Sequence, residues 1–185
     1  MKISKLGIEG AWLIEFPIYA DTRGNFNEWF RRDEIRKETG FDFVVAQSNF
    51  SKSKLGTARG IHYSVAEAGQ AKLITCLQGK ILDFVIDLRS TSTTFKKWVS
   101  VELNESSGQS ILIGPNLGHA FLSLEENSLV SYLLNSAYSP SHEFAINLHD
   151  ADIGLELGND TKIYSEKDFG APSLLEQQES GNLPK

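Results

Sequence analysis

The residues best suited to catalysis or to binding a charged ligand lie in two neighbouring segments of the first half of the chain. Arg59 and His62 stand three positions apart within residues 57–63, and Lys72 follows within residues 69–76. Histidine carries a proton near neutral pH, and arginine and lysine can hold a phosphate or another anionic group. Taken alone, however, a histidine in such a segment more often has a structural role.

The spacing of these residues indicates how a strand would have to present them. Three-residue spacing puts Arg59 and His62 on opposite faces of a regular strand, but Gly60 between them permits a bulge that redirects a side chain. Lys72 interrupts an apolar run that enters a strand, where a lysine is costly unless it faces a cavity or solvent. We therefore expect both segments to border a cavity or the surface.

A metal site is the first alternative, because the chain has four histidines. Metal sites in β-barrels of the cupin type commonly use a His-x-His pair and a nearby carboxylate. Here His62 has no second histidine two positions on, and Glu67 has no further ligand beside it. His62 and His119 alone supply too few ligands, so we expect no metal.

The elements that must position these residues are predicted to be strands. Short apolar or alternating runs cover 80–88, 99–103, 110–113 and 129–134, with turn signals between them. Gln78-Gly79 between two such runs is typical of a tight hairpin. Short strands at this spacing favour a sandwich or a barrel.

Helical signals are few. Residues 32–39 followed by Gly40 predict one short helix, and Ser165 with Asp168 resembles a helix-capping pair. Gly170 and Pro172 would keep that second helix short or irregular. The polar residues 176–185 favour a flexible tail. We therefore predict an all-β chain with a few short helices.

Composition restricts the class of protein further. The 185 residues suit a single domain spanning 1–185, with 24 acidic and 18 basic residues and a net charge of −6. Cys76 is the single cysteine, so no intrachain disulfide can form, which favours a reducing, cytoplasmic location. We expect no signal peptide, no membrane span and no nucleic-acid partner. A few local basic residues could still bind an anionic small molecule.

Ordered sequence blocks identify the chain as similar to a known family. The blocks are Asp21-x-Arg23-Gly24-x-Phe26-x-Glu28, Gln47-x-Asn49-x-Ser51-x-Ser53, Arg59-Gly60-Ile61-His62, Ala71-Lys72-Leu73, and Asp87-Leu88-Arg89 with Thr94-Phe95. Their succession resembles the dTDP-4-dehydrorhamnose 3,5-epimerases from about residue 21 to 172. The resemblance implies a cupin-type jelly-roll β-sandwich that works as a homodimer without metal or cofactor.

The resemblance also implies a reaction. The substrate would be a dTDP-4-keto-6-deoxyhexose, in which C3 and C5 both flank the C4 ketone. Removing a proton from either carbon gives an enolate, and reprotonation from the opposite face inverts that carbon. Such chemistry needs a base, an acid on the other face, and a cation at the enolate oxygen.

The family's catalytic roles carry over to individual positions. By resemblance, His62 is the base, Asp168 is the carboxylate that orients it, and Lys72 lies beside the C4 oxygen. Tyr132 matches the acid on the opposite face, and His119 matches a histidine of the sugar pocket. His142 and His149 match no catalytic position.

The nucleotide contacts carry over in the same way. Arg23 and Arg59 would pair with the diphosphate, and Phe26 and Tyr138 would stack on thymine. Glu28, Gln47 and Asn49 would make polar contacts with the base, ribose or sugar. In the family, the strand that holds Arg23 to Glu28 reaches into the partner's site, which makes the dimer functionally necessary.

Departures from the family pattern leave alternatives open. Ser64 replaces a common glutamine, and the sequences around His119 and His149 are altered. Such changes resemble the branch of unusual deoxysugar pathways, where some members invert C3 or C5 alone. A mono-epimerase, a noncatalytic cupin-type binder of sugar nucleotides and a metal-dependent cupin enzyme are therefore alternatives to epimerisation at both carbons.

Overall fold

Strands dominate the computed structural model, which describes residues 1–67, 69–158 and 163–185. The strands in chain order are β1 (Lys2–Lys5), β2 (Ala11–Glu15), β3 (Ile18–Asp21), β4 (Gly24–Asn27), β5 (Gln47–Ser53), β6 (Ala58–Ser64), β7 (Lys72–Gln78), β8 (Lys80–Asp87), β9 (Trp98–Asn104), β10 (Gln109–Ile113), β11 (Leu117–Ser123), β12 (Ser128–Leu134) and β13 (Glu143–Ala145). The helices are α1 (Arg32–Thr39), α2 (Glu166–Phe169) and α3 (Leu174–Glu179). The all-β prediction with a few short helices is confirmed.

Two antiparallel sheets form a jelly-roll β-sandwich of the cupin type. One sheet has six strands in the order β1-β2-β10-β7-β12-β5, and the other has five in the order β13-β6-β11-β8-β9. In the part of the chain that the structure describes, strands β3 and β4 pair only with each other, as a separate hairpin.

Side-chain alternation sorts the core into an inner layer and two outer layers. Ile74 of β7, Val130 of β12 and Val85 of β8 belong to one buried cluster between the sheets. Leu73, one residue before Ile74, instead packs in a second cluster with Ile35 of α1, because successive strand residues point to opposite faces. Apolar residues from Ile146 to Leu157 and from Tyr164 to Leu183 cover the outer face of the five-stranded sheet.

The turn at Gln78-Gly79 differs from the tight hairpin that the sequence predicted. Strand β7 pairs with β10 and β12, whereas β8 pairs with β11 and β9. The turn therefore carries the chain from one sheet to the other. Ile74 of β7 and Ile81 of β8 both belong to the inner cluster, so the strands bury their apolar faces against each other across the sandwich.

Helix signals in the sequence match the structure closely. Helix α1 ends at Gly40, whose φ of +75° and bond from its N–H to the Arg36 carbonyl make a left-handed C-cap. Ser165 caps α2 by accepting a hydrogen bond from the Asp168 N–H at 3.0 Å. Helix α2 has four residues and ends before Gly170, as the prediction of a short second helix from Gly170 and Pro172 expected.

The last ten residues differ from the flexible tail that their polar composition favoured. Gln177 is buried, and its Nε2 donates to the Ala145 carbonyl at 2.8 Å. Leu183 packs into the outer cluster of the five-stranded sheet, and the Ser90 N–H donates to the Pro184 carbonyl. These contacts attach the C-terminal residues to the sandwich, although most of them are polar.

Candidate active site

The candidate site opens at the mouth of the sandwich, where inner-facing residues of four strands meet. Lys72 of β7 lies two positions before Ile74, and Tyr132 of β12 lies two positions after Val130. Ile74 and Val130 face the inner core, so Lys72 and Tyr132 point to the same face. His119 of β11 and Asp83 of β8 are placed in the same way. Polar residues at inward positions of apolar strands therefore form the floor of the site.

A bulge in β6 brings Arg59 and His62 to the same side. His119 pairs with His62 and Phe121 pairs with Arg59, so one residue of β11 opposes both Gly60 and Ile61 of β6. Gly60 has a φ of +128°, and a Cβ at this position would lie 2.5 Å from the Cβ of Ala120. Only glycine fits this bulge, and the redirection expected from the sequence is confirmed.

The His62–Asp168 dyad closes a sequence separation of 106 residues. His62 Nε2 lies 2.7 Å from Asp168 Oδ1, and the Asp168 side chain is almost fully buried. Burial alone would raise the pKa of Asp168, but hydrogen bonds from His62, Ser165 and the Gly60 N–H, with the charge of His62, hold it below its usual value. The ionised Asp168 accepts a hydrogen bond from Nε2–H of His62, which leaves Nδ1 without a proton and available as the base.

Lys72 is buried, and two acidic side chains lie near enough to act on its charge. Burial lowers the pKa of its ammonium group, and the negative charges of Glu143 and Asp83 oppose that shift. Lys72 lines the cavities on both sides of it. Its ammonium can therefore offset negative charge that develops on a bound molecule.

His119 and Asp83 form a second histidine–carboxylate pair, deeper in the site. His119 Nε2 lies 2.8 Å from Asp83 Oδ2, and Asp83 is fully buried. Burial raises the pKa of Asp83, against the opposing effects of His119 and Lys72. Among the residues that the structure describes, Asp83 Oδ1 has no hydrogen-bond partner, so one oxygen of this buried carboxylate is unsatisfied.

Two adjoining cavities share His62, Lys72 and Tyr132 in their walls. The first cavity has a volume of about 200 Å³. Some of its other lining residues were predicted from the sequence, and some were not. The predicted ones are Gln47, Asn49 and Tyr138; the others are Gln70, Leu134, Glu143, Phe144 and Lys167. The second cavity adds Arg59, His119 and Phe121.

Hydrogen bonds link the polar wall of the first cavity to the loop above it. Gln47 Nε2 donates to Asn49 Oδ1 at 3.0 Å, and Gln47 Oε1 accepts from the Tyr138 N–H at 2.9 Å. On the other wall, Gln70 Nε2 donates to Glu143 Oε1 at 3.1 Å. These bonds orient amide and carboxylate groups toward space that a polar ligand could occupy.

Three predicted site residues lie apart from this group. Arg23 and Phe26 stand on the β3–β4 hairpin and line a separate surface cavity, and Glu28 follows the hairpin as an exposed residue. The Arg23 side chain is 88% exposed and bonds Asp21 within the hairpin, and Phe26 is 63% exposed. The structure of one chain does not bring these residues to His62.

The site residues that were not predicted from the sequence differ in how far local sequence patterns could have revealed them. Asp83 is an acid at an inward position of an apolar strand, so strand periodicity alone could have marked it. Gln70 and Glu143 meet only because β13 pairs with β6, a contact between distant segments without a local signal. Within the described residues, no three His, Cys, Asp or Glu side chains converge as a metal site would require. In the same residues, no helix has the length and apolar character needed to cross a membrane.

Comparisons with known proteins agree with this geometry. The family model described as dTDP-4-dehydrorhamnose 3,5-epimerase matches residues 5–176. A dTDP-4-dehydro-6-deoxyglucose 3-epimerase of Streptomyces bikiniensis is 40% identical over 97% of this chain and 92% of its own length. A dTDP-4-dehydrorhamnose 3,5-epimerase of Mycolicibacterium smegmatis is 39% identical over 100% of this chain and 91% of its own length.

A solved structure extends the agreement to the whole backbone. The 3'-monoepimerase of Streptomyces bikiniensis in complex with dTDP-quinovose has a TM-score of 0.94, is 40% identical, and is matched over 97% of this chain and 91% of its own. The resemblance seen in the sequence blocks is thus confirmed. The chain belongs to the dTDP-4-dehydrorhamnose 3,5-epimerase family.

Proposed function

We propose that this protein is an isomerase that inverts C3 and C5 of a dTDP-4-keto-6-deoxyhexose in deoxysugar biosynthesis, as one domain spanning 1–185. The observation that carries the proposal is the 2.7 Å contact between His62 and Asp168 at a cavity that Lys72 and Tyr132 also line. A base, its orienting carboxylate, a cation and a phenol are the groups that proton transfer beside a ketone requires.

Each group has one task in this mechanism. Nδ1 of His62 removes the proton from the carbon beside the ketone, and Asp168 stabilises the resulting imidazolium. Lys72 stabilises the enolate oxygen, and the Tyr132 hydroxyl donates a proton to the opposite face. No cofactor is needed, because the substrate's own ketone stabilises the carbanion.

The nucleotide sugar is held by groups on both sides of the catalytic residues. Arg59 and His119 line the second cavity, where Arg59 contacts the diphosphate and His119 contacts the sugar. Tyr138 lines the first cavity and stacks on thymine. Gln47 and Asn49 make polar contacts from β5. Arg23, Phe26 and Glu28 complete the site from the hairpin of a second copy, so we propose a homodimer as the active unit.

The cellular setting follows from the substrate. A diphosphate-linked sugar carries charge that a membrane interior does not admit, so we propose that the reaction takes place in the cytoplasm.

Proton exchange with solvent tests the proposal directly. Incubation with the 4-keto sugar nucleotide in D₂O, followed by proton NMR, is expected to put deuterium at C3 and at C5. Exchange at C3 alone would instead assign the chain to the 3-epimerases, which the identity to the Streptomyces bikiniensis relative makes the second candidate. Lack of exchange at both carbons would contradict the epimerase function and leave a noncatalytic binder.

Two variants separate the steps. His62→Ala should abolish exchange at both carbons, because it removes the imidazole that Asp168 orients toward the cavity. Tyr132→Phe should retain exchange at C3 while inversion falls about 100-fold, because abstraction does not need the phenol. Equal loss of exchange and inversion in Tyr132→Phe would indicate a positional role for the tyrosine.

A further inference from the structure

The turn that carries Asp168 is too short to hold its own position. Helix α2 has four residues and one side-chain cap, from Ser165. A single helical turn is not stable alone, so contacts from outside must fix the carboxylate opposite His62. The segment 163–172 therefore depends on its attachments to the sandwich.

The first attachment lies before α2 and uses only the backbone. The Ile163 N–H donates to the Gly56 carbonyl at 2.9 Å, and the Ile163 carbonyl accepts from the Ala58 N–H at 3.0 Å. These bonds tie the segment to the start of β6. Ile163 lies five positions before Asp168, and the Gly60 N–H also bonds the Asp168 carboxylate, but neither contact holds the backbone that follows Asp168.

The second attachment lies directly after Asp168 and uses a side chain. Asn147 Nδ2 donates to the Phe169 carbonyl at 2.9 Å, and the Asn147 backbone N–H donates to the Pro172 carbonyl at 2.8 Å. Asn147 Oδ1 accepts from the His149 N–H at 2.8 Å, which fixes the orientation of the amide. Both groups of the Asn147 side chain are thus engaged.

Asn147 is also joined rigidly to the strand of the base. Its neighbour Ile146 exchanges two backbone hydrogen bonds with Ile61, at 3.0 and 3.1 Å, and Ala145 pairs with His62 in the β13–β6 ladder. A continuous path of hydrogen bonds therefore runs from β6 through residues 145–147 to the carbonyl that follows Asp168. The path is shorter than the covalent route of 106 residues between the dyad partners.

We propose that Asn147 is a positioning residue of the His62–Asp168 dyad, which holds Asp168 Oδ1 at the imidazole through the bond from Nδ2 to the Phe169 carbonyl. This inference rests on the proposed function, because it assigns the dyad to proton abstraction. Asn147 touches no substrate in this scheme. Its loss would misplace the carboxylate and leave the nucleotide contacts intact.

The chain offers a closely matched control for the key bond. Asn147→Asp keeps the oxygen that accepts from the His149 N–H, removes the donor to the Phe169 carbonyl and adds a negative charge. Asn104 has the same local turn, with Oδ1 accepting from the Ser106 N–H at 3.0 Å, and lies at the end of β9. Asn104→Asp therefore makes the same chemical change without a dyad to disturb.

The first readout is steady-state kinetics with the 4-keto sugar nucleotide. We expect kcat of Asn147→Asp and of Asn147→Ala to fall about 10- to 100-fold, with KM within about twofold of the wild type. Asn104→Asp should keep both constants. If Asn147→Ala kept its kcat while Asn147→Asp lost it, the introduced charge would be responsible and the inference would be wrong.

The second readout does not need turnover. Long-range ¹H–¹⁵N NMR of the free protein identifies which ring nitrogen of His62 carries the proton. We expect a proton fixed on Nε2 in the wild type and in Asn104→Asp, and a mixture of tautomers in both Asn147 variants. An unchanged ring in both Asn147 variants would overturn the inference, even if the wild type proved inactive on this substrate. Inactivity with the expected change of tautomer would count against the proposed function alone.

Discussion

His62 and His119 stand directly opposite each other in the antiparallel pair of β6 and β11, and each binds a different carboxylate. The His62 side chain is 40% exposed, whereas that of His119 is 12% exposed. Asp168 reaches His62 from a turn near the end of the chain, while Asp83 belongs to the adjoining strand β8. The exposed pair can therefore exchange protons with a ligand, and the buried pair forms a fixed polar floor.

Lys72 provides the first test of how this floor works. Lys72→Met keeps an unbranched side chain, one heavy atom shorter, and removes the charge. Proton exchange should fall at least about 100-fold, because the enolate loses its counter-charge. The unfolding midpoint should stay the same or rise, because the variant no longer buries an ammonium group. Deuterium exchange and urea unfolding, measured on the same preparations, check both expectations.

A surface lysine serves as the control for Lys72. Lys97 is exposed between β8 and β9, and Lys97→Met should change neither exchange nor the unfolding midpoint beyond experimental error. Exchange in Lys72→Met within about threefold of the wild type would contradict the role of the ammonium group. A loss of exchange that accompanied a large loss of stability would point instead to a structural role for Lys72.

Local patterns in the sequence predicted the strands and the bulge but not how the strands are divided between the sheets. The apolar runs around β8, β9, β10 and β12 predicted strands because alternation is local, and Gly60 predicted a bulge because only glycine tolerates that conformation. The hairpin predicted at Gln78-Gly79 was wrong, because a turn signal does not specify which sheet the next strand joins. That choice depends on apolar faces that meet across the whole sandwich.

The catalytic residues of the site were predicted from the family resemblance and not from local strand or turn patterns. His62, Lys72, Tyr132 and Asp168 came from resemblance to a family, and the structure groups them. Gln70, Glu143 and Asn147 did not follow from local patterns, because their contacts join segments far apart in the chain. Long-range pairing of this kind has no periodic signature in a single sequence.

The β3–β4 hairpin makes the proposed dimer testable at the level of one residue. Because the hairpin pairs with neither sheet and exposes Arg23, we expect it to complete the site of a second copy. Arg23→Ala and His62→Ala should each be nearly inactive alone. A purified mixed dimer of the two variants should recover about half of the wild-type activity, because one of its two sites is then intact.

Differential tags on the two variants, with sequential affinity purification after co-expression, isolate the mixed dimer for this measurement. Mixed dimers of His62→Ala with Asp168→Asn serve as the control and should stay inactive if both residues act within one chain, or recover if they do not. An inactive Arg23→Ala/His62→Ala dimer would mean that each hairpin serves its own chain. A monomer by sedimentation would contradict the dimer itself.

Asp87 gives a prediction for stability that is independent of catalysis. Its side chain is fully buried and accepts hydrogen bonds from Arg89, Ser92 and Thr94. Burial would raise the pKa of this carboxyl, but those hydrogen bonds outweigh it and lower the pKa to about 2. Its charged form therefore stabilises the folded protein.

The sign of the pH dependence follows from the lowered pKa of Asp87. The unfolded chain binds a proton near pH 3.8 and the folded chain near pH 2, so the contribution is complete above about pH 5 and is lost as the pH falls through this window. The full contribution is about 2 kcal/mol, of which about 1 kcal/mol should be lost by pH 3. Urea unfolding of the wild type and of Asp87→Asn, between pH 6 and pH 3, measures the difference.

The two curves should converge as the pH falls, because protonation of Asp87 in the wild type removes what the substitution has already removed. Asp152→Asn makes the same change at an exposed ion pair with Lys96 and should shift stability by less than about 0.5 kcal/mol at either pH. A difference between wild type and Asp87→Asn that stayed constant from pH 6 to pH 3 would contradict the lowered pKa. Asp87 would then stabilise the loop through its shape and neutral hydrogen bonds, because a charge contribution cannot be independent of pH across its own titration.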